Sequence, residues 1–171
     1  MAEVLVVDDS KVMRDMVVAC LRPYPGLTFT HASSGLEAIE RLSLQPYDLL
    51  VLDLNMPDIG GIEVVEFVRG QDRLRELPII IVTTRGDEAS RARALAAGAS
   101  RFMTKPFTPD AILAEARGLL EGGALERVRG PRGFPARLSR GSRGVAGHRA
   151  PSVVGDGGQH PAGRGAPAGR A

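Results

Sequence analysis

The stretch from Asp48 to Pro57 constrains the fold more than any other part of the sequence. A continuous apolar run ends there at Asp53, which is typical of a strand buried on both faces of a parallel sheet. Pro57 then prevents further pairing, because proline has no backbone N–H to donate. Open α/β sheets place their ligand site at the carboxyl ends of such strands. Asp53 is therefore either a site residue or only a turn residue.

The patterns of strands and helices alternate five times along residues 1–121. The predicted strands are Glu3–Asp8, Leu27–Ala32, Asp48–Asp53, Leu77–Thr83 and Ser100–Thr104. The predicted helices are Lys11–Leu21 with Ser10 as its N-cap, Gly35–Leu44 with Ser34 as its N-cap, Ile62–Arg69, a helix capped by Asp87 that runs to Ala97 and is ended by Gly98, and one from Pro109 to about Glu121. Crossovers of this length require a doubly wound α/β fold, with a mainly parallel sheet and helices on both faces. The polar alternation of the second strand predicts that it lies at an edge.

The charge divides the chain into two regions. Residues 1–121 contain 13 basic and 18 acidic side chains, whereas residues 122–171 contain 9 basic and 2 acidic ones. The second region also holds 13 Gly and 5 Pro with no sustained apolar period, so we predict one domain over 1–121 and a disordered tail over 122–171. A similar composition would also arise from reading a GC-rich gene in the wrong frame. The pI of about 9.1 describes this tail, and does not mark the whole chain as a nucleic-acid-binding protein.

Two further observations limit the class of protein. Cys20 is the single cysteine, so no internal disulfide can form, and its apolar surroundings predict a core position. The sequence has no run of 18 apolar residues and no signal-peptide pattern. We therefore expect a cytoplasmic protein that does not insert into a membrane.

Polar residues follow four of the predicted strands. They are Asp8 and Asp9 after the first, Asp53 after the third, Thr83 after the fourth and Lys105 after the fifth. Parallel strands end on the same side of a sheet, so these groups can converge. Each also has a simpler interpretation: the acidic pair as a helix cap, the threonine as a strand end, the lysine as a solvated side chain.

Convergence would create an electrostatic problem. Two carboxylates about 4 Å apart repel by roughly 4 kcal/mol at an effective dielectric constant of 20. An all-oxygen site favours Mg²⁺, which keeps several waters and binds through one or two carboxylates plus phosphate oxygens. The pattern thus indicates a site for a divalent cation and a phosphoryl group.

Four motifs together resemble the receiver domain of two-component response regulators, most closely the single-domain chemotaxis type. They are Val6-Val7-Asp8-Asp9-Ser10, Asp53-Leu54-Asn55-Met56-Pro57 with Gly60-Gly61, Thr83-Thr84, and Lys105-Pro106-Phe107. The resemblance covers about residues 2–121. It implies a flavodoxin-like five-stranded sheet of order 2-1-3-4-5 with five helices, and a cis peptide bond before Pro106.

The resemblance also implies a role for each matching residue. Asp53 would be the phosphoacceptor, attacking a phosphohistidine of a histidine kinase or phosphotransfer protein. Asp9, Asp53 and the backbone carbonyl of Asn55 would bind Mg²⁺, with Asp8 assisting through water. Thr83, the switch residue, would hydrogen-bond the phosphoryl oxygens, and Lys105 would pair with one of them.

Phosphorylation then implies a switch. Thr83 would move toward the phosphoryl group and Phe102 would rotate into the space behind it, although Phe102 could also be a plain core aromatic. The partner surface for a downstream effector protein would be formed by the Asp87–Ala97 helix, the Ser100–Thr104 strand and the last helix. The protein would be a signalling phosphoacceptor, not an enzyme acting on other substrates.

Two other functions remain open at this point. The chain could be the receiver part of a transcription regulator that lacks its DNA-binding domain, but the tail has no helix-turn-helix period, so a nucleic-acid partner is not favoured. It could also be a Mg²⁺-dependent phosphatase with an aspartyl nucleophile, although no cap domain is evident to enclose a substrate.

Overall fold

The computed structural model describes residues 1–129, with side chains as far as Gly122. The strands are β1 (Ala2–Val7), β2 (Leu27–Ala32), β3 (Leu49–Leu52), β4 (Ile79–Thr83) and β5 (Arg101–Thr104). The helices are α1 (Lys11–Leu21), α2 (Gly35–Leu44), α3 (Gly61–Gly70), α4 (Glu88–Ala97) and α5 (Pro109–Arg129). All strand pairs are parallel and the order is β2-β1-β3-β4-β5, which confirms the predicted fold class and places β2 at an edge.

The central strands are buried because helices cover both faces of the sheet. All residues of β3 and β4 are buried, as their continuous apolar sequences predict. One face packs against α2, α3 and α4 through side chains such as Leu42, Val64 and Ala94. The opposite face packs against α1 and α5 through side chains such as Leu21 and Ile112.

Local sequence signals set the ends of several helices. Ser10, Ser34 and Asp87 are the N-caps of α1, α2 and α4, and each accepts a hydrogen bond from the backbone N–H three residues further on. Gly98 ends α4 in the left-handed conformation, with φ of 117°. These caps lie where the sequence predicts them.

The structure differs from the predictions in the bounds of several elements. Strand ends shift by one or two residues, so that Asp8 and Asp53 come directly after β1 and β3 and not within them. The prediction that the last helix ends at about Glu121 is wrong, because α5 continues through two glycines to Arg129. The remaining tail, residues 130–171, lies outside the described residues, so its predicted disorder stays a prediction.

Two further expectations concern individual features. The peptide bond between Lys105 and Pro106 is cis, which confirms that prediction. Within residues 1–129, no helix combines the length and the hydrophobicity that a membrane crossing requires.

Candidate functional site

Three carboxylates meet where β1 and β3 end. Asp8 and Asp9 follow β1, Asp53 follows β3, and the two strands are neighbours, with Val7 opposite Leu52. Each of the three acids offers a carboxylate oxygen, and these oxygens all lie within 4.8 Å of one another. Asp8 and Asp53 are each only 6% exposed, whereas Asp9 is exposed to solvent. The cluster therefore has two buried members and one that faces the water.

Lys105 brings a positive charge to this cluster from the loop after β5. Its Nζ lies 2.6 Å from Asp8 Oδ2 and 3.5 Å from Asp53 Oδ2. All three side chains are nearly buried, so solvent screens these ion pairs weakly. In the structure, Lys105 thus lies closer to Asp8 than to Asp53; its contact with a phosphoryl oxygen, which the resemblance implies, stays a prediction.

The charge balance of the site accommodates a cation. Three carboxylates and one ammonium leave an excess of two negative charges among these four side chains. The donors are oxygens, which Mg²⁺ and other hard cations prefer. Asn55 lies beside them, and its backbone N–H donates to Asp53 Oδ1 over 3.2 Å. The residues present therefore fit a divalent cation.

Opposing influences act on the ionisation of Asp53. Burial is the largest, and it raises the pKa of Asp53 above its ordinary value. The Lys105 ammonium and the Asn55 N–H favour the ionised form and lower the pKa, while the charge of Asp8 raises it again. The net result is a raised pKa, which means that the folded protein disfavours the charged form of Asp53 relative to a free aspartate.

Thr83 is fully buried at the end of β4, next to β3 in the sheet. Its Oγ accepts hydrogen bonds from Asn55 Nδ2 over 3.3 Å and from the Arg85 backbone N–H over 3.2 Å. Asn55 Nδ2 also lies 3.4 Å from the Thr84 hydroxyl. The asparagine side chain therefore links the loop after β3 to the loop after β4.

Phe102 lies on β5 opposite Ile81 of β4. Its side chain is partly buried and packs against the apolar layer on the α2, α3 and α4 face of the sheet. The Arg91 guanidinium of α4 lies 5.8 Å from the centre of its ring, within reach of a cation–π contact. This position agrees with a core aromatic and also with a side chain that could rotate, so the rotation stays a prediction.

Sequence reasoning missed several residues that shape the site. Arg14 of α1 donates to the Asp8 carbonyl over 2.6 Å, and the Ser10 N–H donates to Asp8 Oδ1 over 2.8 Å. Asp58 holds the loop after β3 against α2. The cap pattern at Ser10 is visible in the sequence, but no periodicity or spacing indicates the partners of Arg14 and Asp58.

Gly61, the first residue of α3, permits a close approach to the site. A Cβ at this position would lie 2.3 Å from the Asp53 carbonyl oxygen and 2.8 Å from the Leu54 Cα. Real side chains do not reach such distances, so the glycine lets α3 begin directly against the backbone that carries Asp53.

Comparison with known proteins identifies the same part of the chain. A family model described as the response regulator receiver domain matches residues 4–117. The chemotaxis protein CheY1 of Helicobacter pylori is 38% identical over 111 residues, which cover 64% of this chain and 90% of CheY1. The response regulator MprA of Mycobacterium ulcerans is 37% identical over 123 residues, which cover 72% of this chain and 52% of MprA.

A solved structure agrees with these relatives. The chemotaxis response regulator CheY4 of Vibrio cholerae has a TM-score of 0.65 to this chain at 34% identity, covering 70% of this chain and 99% of CheY4. The matched residues 4–117 include the acid cluster, Thr83 and Lys105, and the sheet order is the one that the resemblance implied. The chain therefore belongs to the response regulator receiver domain family, as a CheY-like member.

Proposed function

We propose that this receiver domain accepts a phosphoryl group on Asp53 from a phosphohistidine of a histidine kinase or phosphotransfer protein, and then controls a downstream effector protein. The observation that carries the proposal is the grouping of buried Asp53 with Asp8, Asp9 and Lys105. A receiver domain of the CheY type implies two kinds of partner, a protein that donates the phosphoryl group and an effector protein that responds to it. The protein acts on itself and is not an enzyme for other substrates, and its place of action is the cytoplasm.

The transfer needs an ionised carboxylate and little other covalent chemistry. An oxygen of Asp53 attacks phosphorus, the N–P bond of the donor breaks, and its electron pair stays on the histidine nitrogen, which takes up a proton. The product is an acyl phosphate on Asp53. Burial disfavours the charged nucleophile, and Lys105 offsets this because its ammonium stabilises the ionised form.

The acid cluster supplies the ligands for a divalent cation. Asp9, Asp53 and the backbone carbonyl of Asn55 would hold Mg²⁺, and Asp8 would assist through water. When bound, Mg²⁺ neutralises the carboxylates and the developing charge on the phosphoryl oxygens. Asp8 meanwhile holds the Lys105 ammonium at 2.6 Å, so the lysine is already in place to meet a phosphoryl oxygen on Asp53.

The switch follows from the hydrogen bonds of Thr83. Phosphorylation adds nearly two negative charges and three acceptor oxygens beside Asp53. The Thr83 hydroxyl then donates to a phosphoryl oxygen and moves away from Asn55 and from the Arg85 N–H, which it contacts at present. Phe102 fills the space that is left, and the surface of α4, β5 and α5 changes for the effector.

A transcription regulator is the second candidate function. MprA and this chain share a matched region that spans about half of MprA. The chemotaxis relative is matched over 90% of its length, which favours a switch that acts on a protein partner. Salt-sensitive binding of DNA by the full chain would support the second candidate.

The test is phosphorylation by acetyl phosphate with Mg²⁺, followed by intact-mass spectrometry. We expect the wild type to gain one phosphoryl group and Asp53→Asn to gain none, because the amide is a poor nucleophile. Asp15→Asn is the matched control, since Asp15 is an exposed aspartate of α1 that pairs with Lys11. Modification of Asp53→Asn to the wild-type extent would show that another residue is the acceptor.

A further inference from the structure

The β3–α3 loop, residues 53–60, is fastened at its base. The Asn55 N–H donates to Asp53 Oδ1, and the Gly61 N–H donates to the Leu54 carbonyl over 3.1 Å. These bonds close the loop where it leaves β3 and enters α3. They leave its far end, around Pro57 and Asp58, to be fixed by something else.

Asp58 fixes that far end against another helix. Its Oδ1 accepts from the Gly35 N–H over 3.1 Å, and its Oδ2 accepts from the Leu36 N–H over 2.9 Å. Gly35 and Leu36 are the first two residues of α2, whose N–H groups have no acceptor within the helix. The bond from the Leu36 N–H has the largest effect on the pKa of Asp58, and together the two bonds lower this pKa below its ordinary value. The carboxylate is therefore ionised at neutral pH.

The backbone of the loop lies directly on α2 next to this bond pair. A Cβ on Gly35 would be 2.3 Å from the Ile59 carbonyl oxygen and 2.9 Å from the Ile59 Cβ. Only glycine fits this approach. The Asp58 carboxylate therefore bonds the loop to the helix, and beside these bonds the two backbones approach closely because Gly35 has no side chain.

Asp58 and Ser34 cap the same helix end through different donors. Ser34 accepts from the Glu37 N–H over 3.1 Å, whereas Asp58 accepts from Gly35 and Leu36. What Asp58 adds is a connection between α2 and a loop that starts at the phosphoacceptor. The partners are 22 and 23 residues apart in sequence, so the bonds join two separate parts of the fold.

We propose that Asp58 is a positioning residue for the metal and phosphoryl site. By holding the far end of the β3–α3 loop on α2, it restricts the movement of the Asn55 backbone, whose carbonyl the proposed function assigns to the cation. Without this anchor, the Asn55 carbonyl samples more positions. Cation binding then includes the entropic cost of ordering the carbonyl, so the affinity for the cation falls. This inference rests on the proposed function, since it assigns the anchor to the cation site described there.

The test measures Mg²⁺ affinity by isothermal titration calorimetry on the full chain. We expect Asp58→Ala to raise the Kd for Mg²⁺ about tenfold, the lower end of the effect of removing a group that orients a metal ligand. Asp58→Asn should give a smaller increase, because its one carbonyl oxygen can still accept one of the two bonds. Asp58 touches neither the cation nor the phosphoryl group, so phosphorylation at saturating Mg²⁺ should return to the wild-type rate.

Ser34→Ala is the matched control. It removes the other cap of the same helix end and leaves the loop anchored, so the Kd for Mg²⁺ should stay within about twofold of the wild type. Amide hydrogen exchange of the metal-free protein gives an independent reading. Residues 53–60 should exchange faster in Asp58→Ala than in the wild type, and should be unchanged in Ser34→Ala.

Two results would overturn the inference while leaving the proposed function intact. One is wild-type Mg²⁺ affinity in Asp58→Ala; the other is an equal loss in Ser34→Ala, which would assign the effect to helix stability. If the wild type itself neither binds Mg²⁺ nor takes up phosphate, the proposed function fails, and the inference fails with it.

Discussion

At the scale of single residues, Asp53, the proposed phosphoacceptor, shows how a buried carboxyl group is kept at a cost to stability. Its pKa is raised in the folded protein, chiefly by burial. A group of this kind contributes stability that is fully present below its unfolded pKa of about 3.8 and is lost as the pH rises through its folded pKa. The folded state at neutral pH therefore carries the cost of a buried charge that Lys105 only partly offsets.

Asp53→Asn should relieve this cost. In the absence of Mg²⁺ at neutral pH, we expect the variant to be more stable than the wild type by about 0.5–2 kcal/mol, the usual size of a single stabilising substitution. The difference should shrink as the pH falls and should vanish below the unfolded pKa, where the wild-type carboxyl is protonated in both states. Urea unfolding across this pH range measures the effect.

The control for that experiment is Asp15→Asn. The hydrogen bond from Lys11 lowers the pKa of Asp15, so this group stabilises the folded protein when it is ionised. Its removal should therefore give no gain at neutral pH. A wild type more stable than Asp53→Asn at neutral pH would contradict the account of the buried charge.

At the scale of elements, the site depends on where strands end and helices begin. Gly61 starts α3 against the Asp53 carbonyl, so we expect Gly61→Ala to push α3 away from β3. Stability should fall by about 1–3 kcal/mol, as for other overpacked positions, and Mg²⁺ binding should weaken with it. Thermal unfolding and calorimetric titration measure the two effects.

Gly70→Ala is the matched variant at the other end of α3. A Cβ there meets nothing within 4 Å, and alanine favours a helix over glycine by up to about 1 kcal/mol. Its stability should be equal to the wild type or higher, with unchanged Mg²⁺ affinity. Equal losses in both variants would mean that glycine is needed in α3 for reasons other than the close approach at the site.

The elements were largely predictable, because burial leaves a direct trace in the sequence. The apolar run of β3 and the caps at Ser34 and Asp87 each correspond to a local physical cause, and the structure confirms them. The end of α5 was not predictable in this way. Gly122 and Gly123 disfavour a helix, but the residues that follow them are good helix formers, and the helix continues to Arg129.

The site was predictable only in part for a related reason. The chain order of strands and their parallel pairing bring Asp8, Asp53 and Lys105 to one edge, and the structure places them there. The choice of Asp8 as the closer partner of Lys105, and the bonds of Asp58 to α2, depend on loop conformations. Such contacts join residues far apart in the chain and leave no periodic pattern.

At the scale of the whole molecule, the predicted tail and the receiver domain differ in charge and composition. We expect a chain ending at Arg129 to have the same urea midpoint and the same uptake of phosphate as the full chain, because a Gly- and Arg-rich segment of this kind buries little apolar surface. Removal of residues 130–171 changes the net charge from +2 to −4, so the comparison belongs at moderate salt. A lower midpoint for the shorter chain would show that the tail contributes to folding.

The ion pair between Lys105 and Asp8 joins residues 97 positions apart, one from the start of the domain and one from near its end. A nascent chain leaving the ribosome thus exposes its three acids long before the lysine that completes the site has been synthesised. On the proposed function, a nascent fragment that ends before β5 lacks both the lysine of the site and the β5 and α5 surface that would meet a partner, so it cannot pass the signal on.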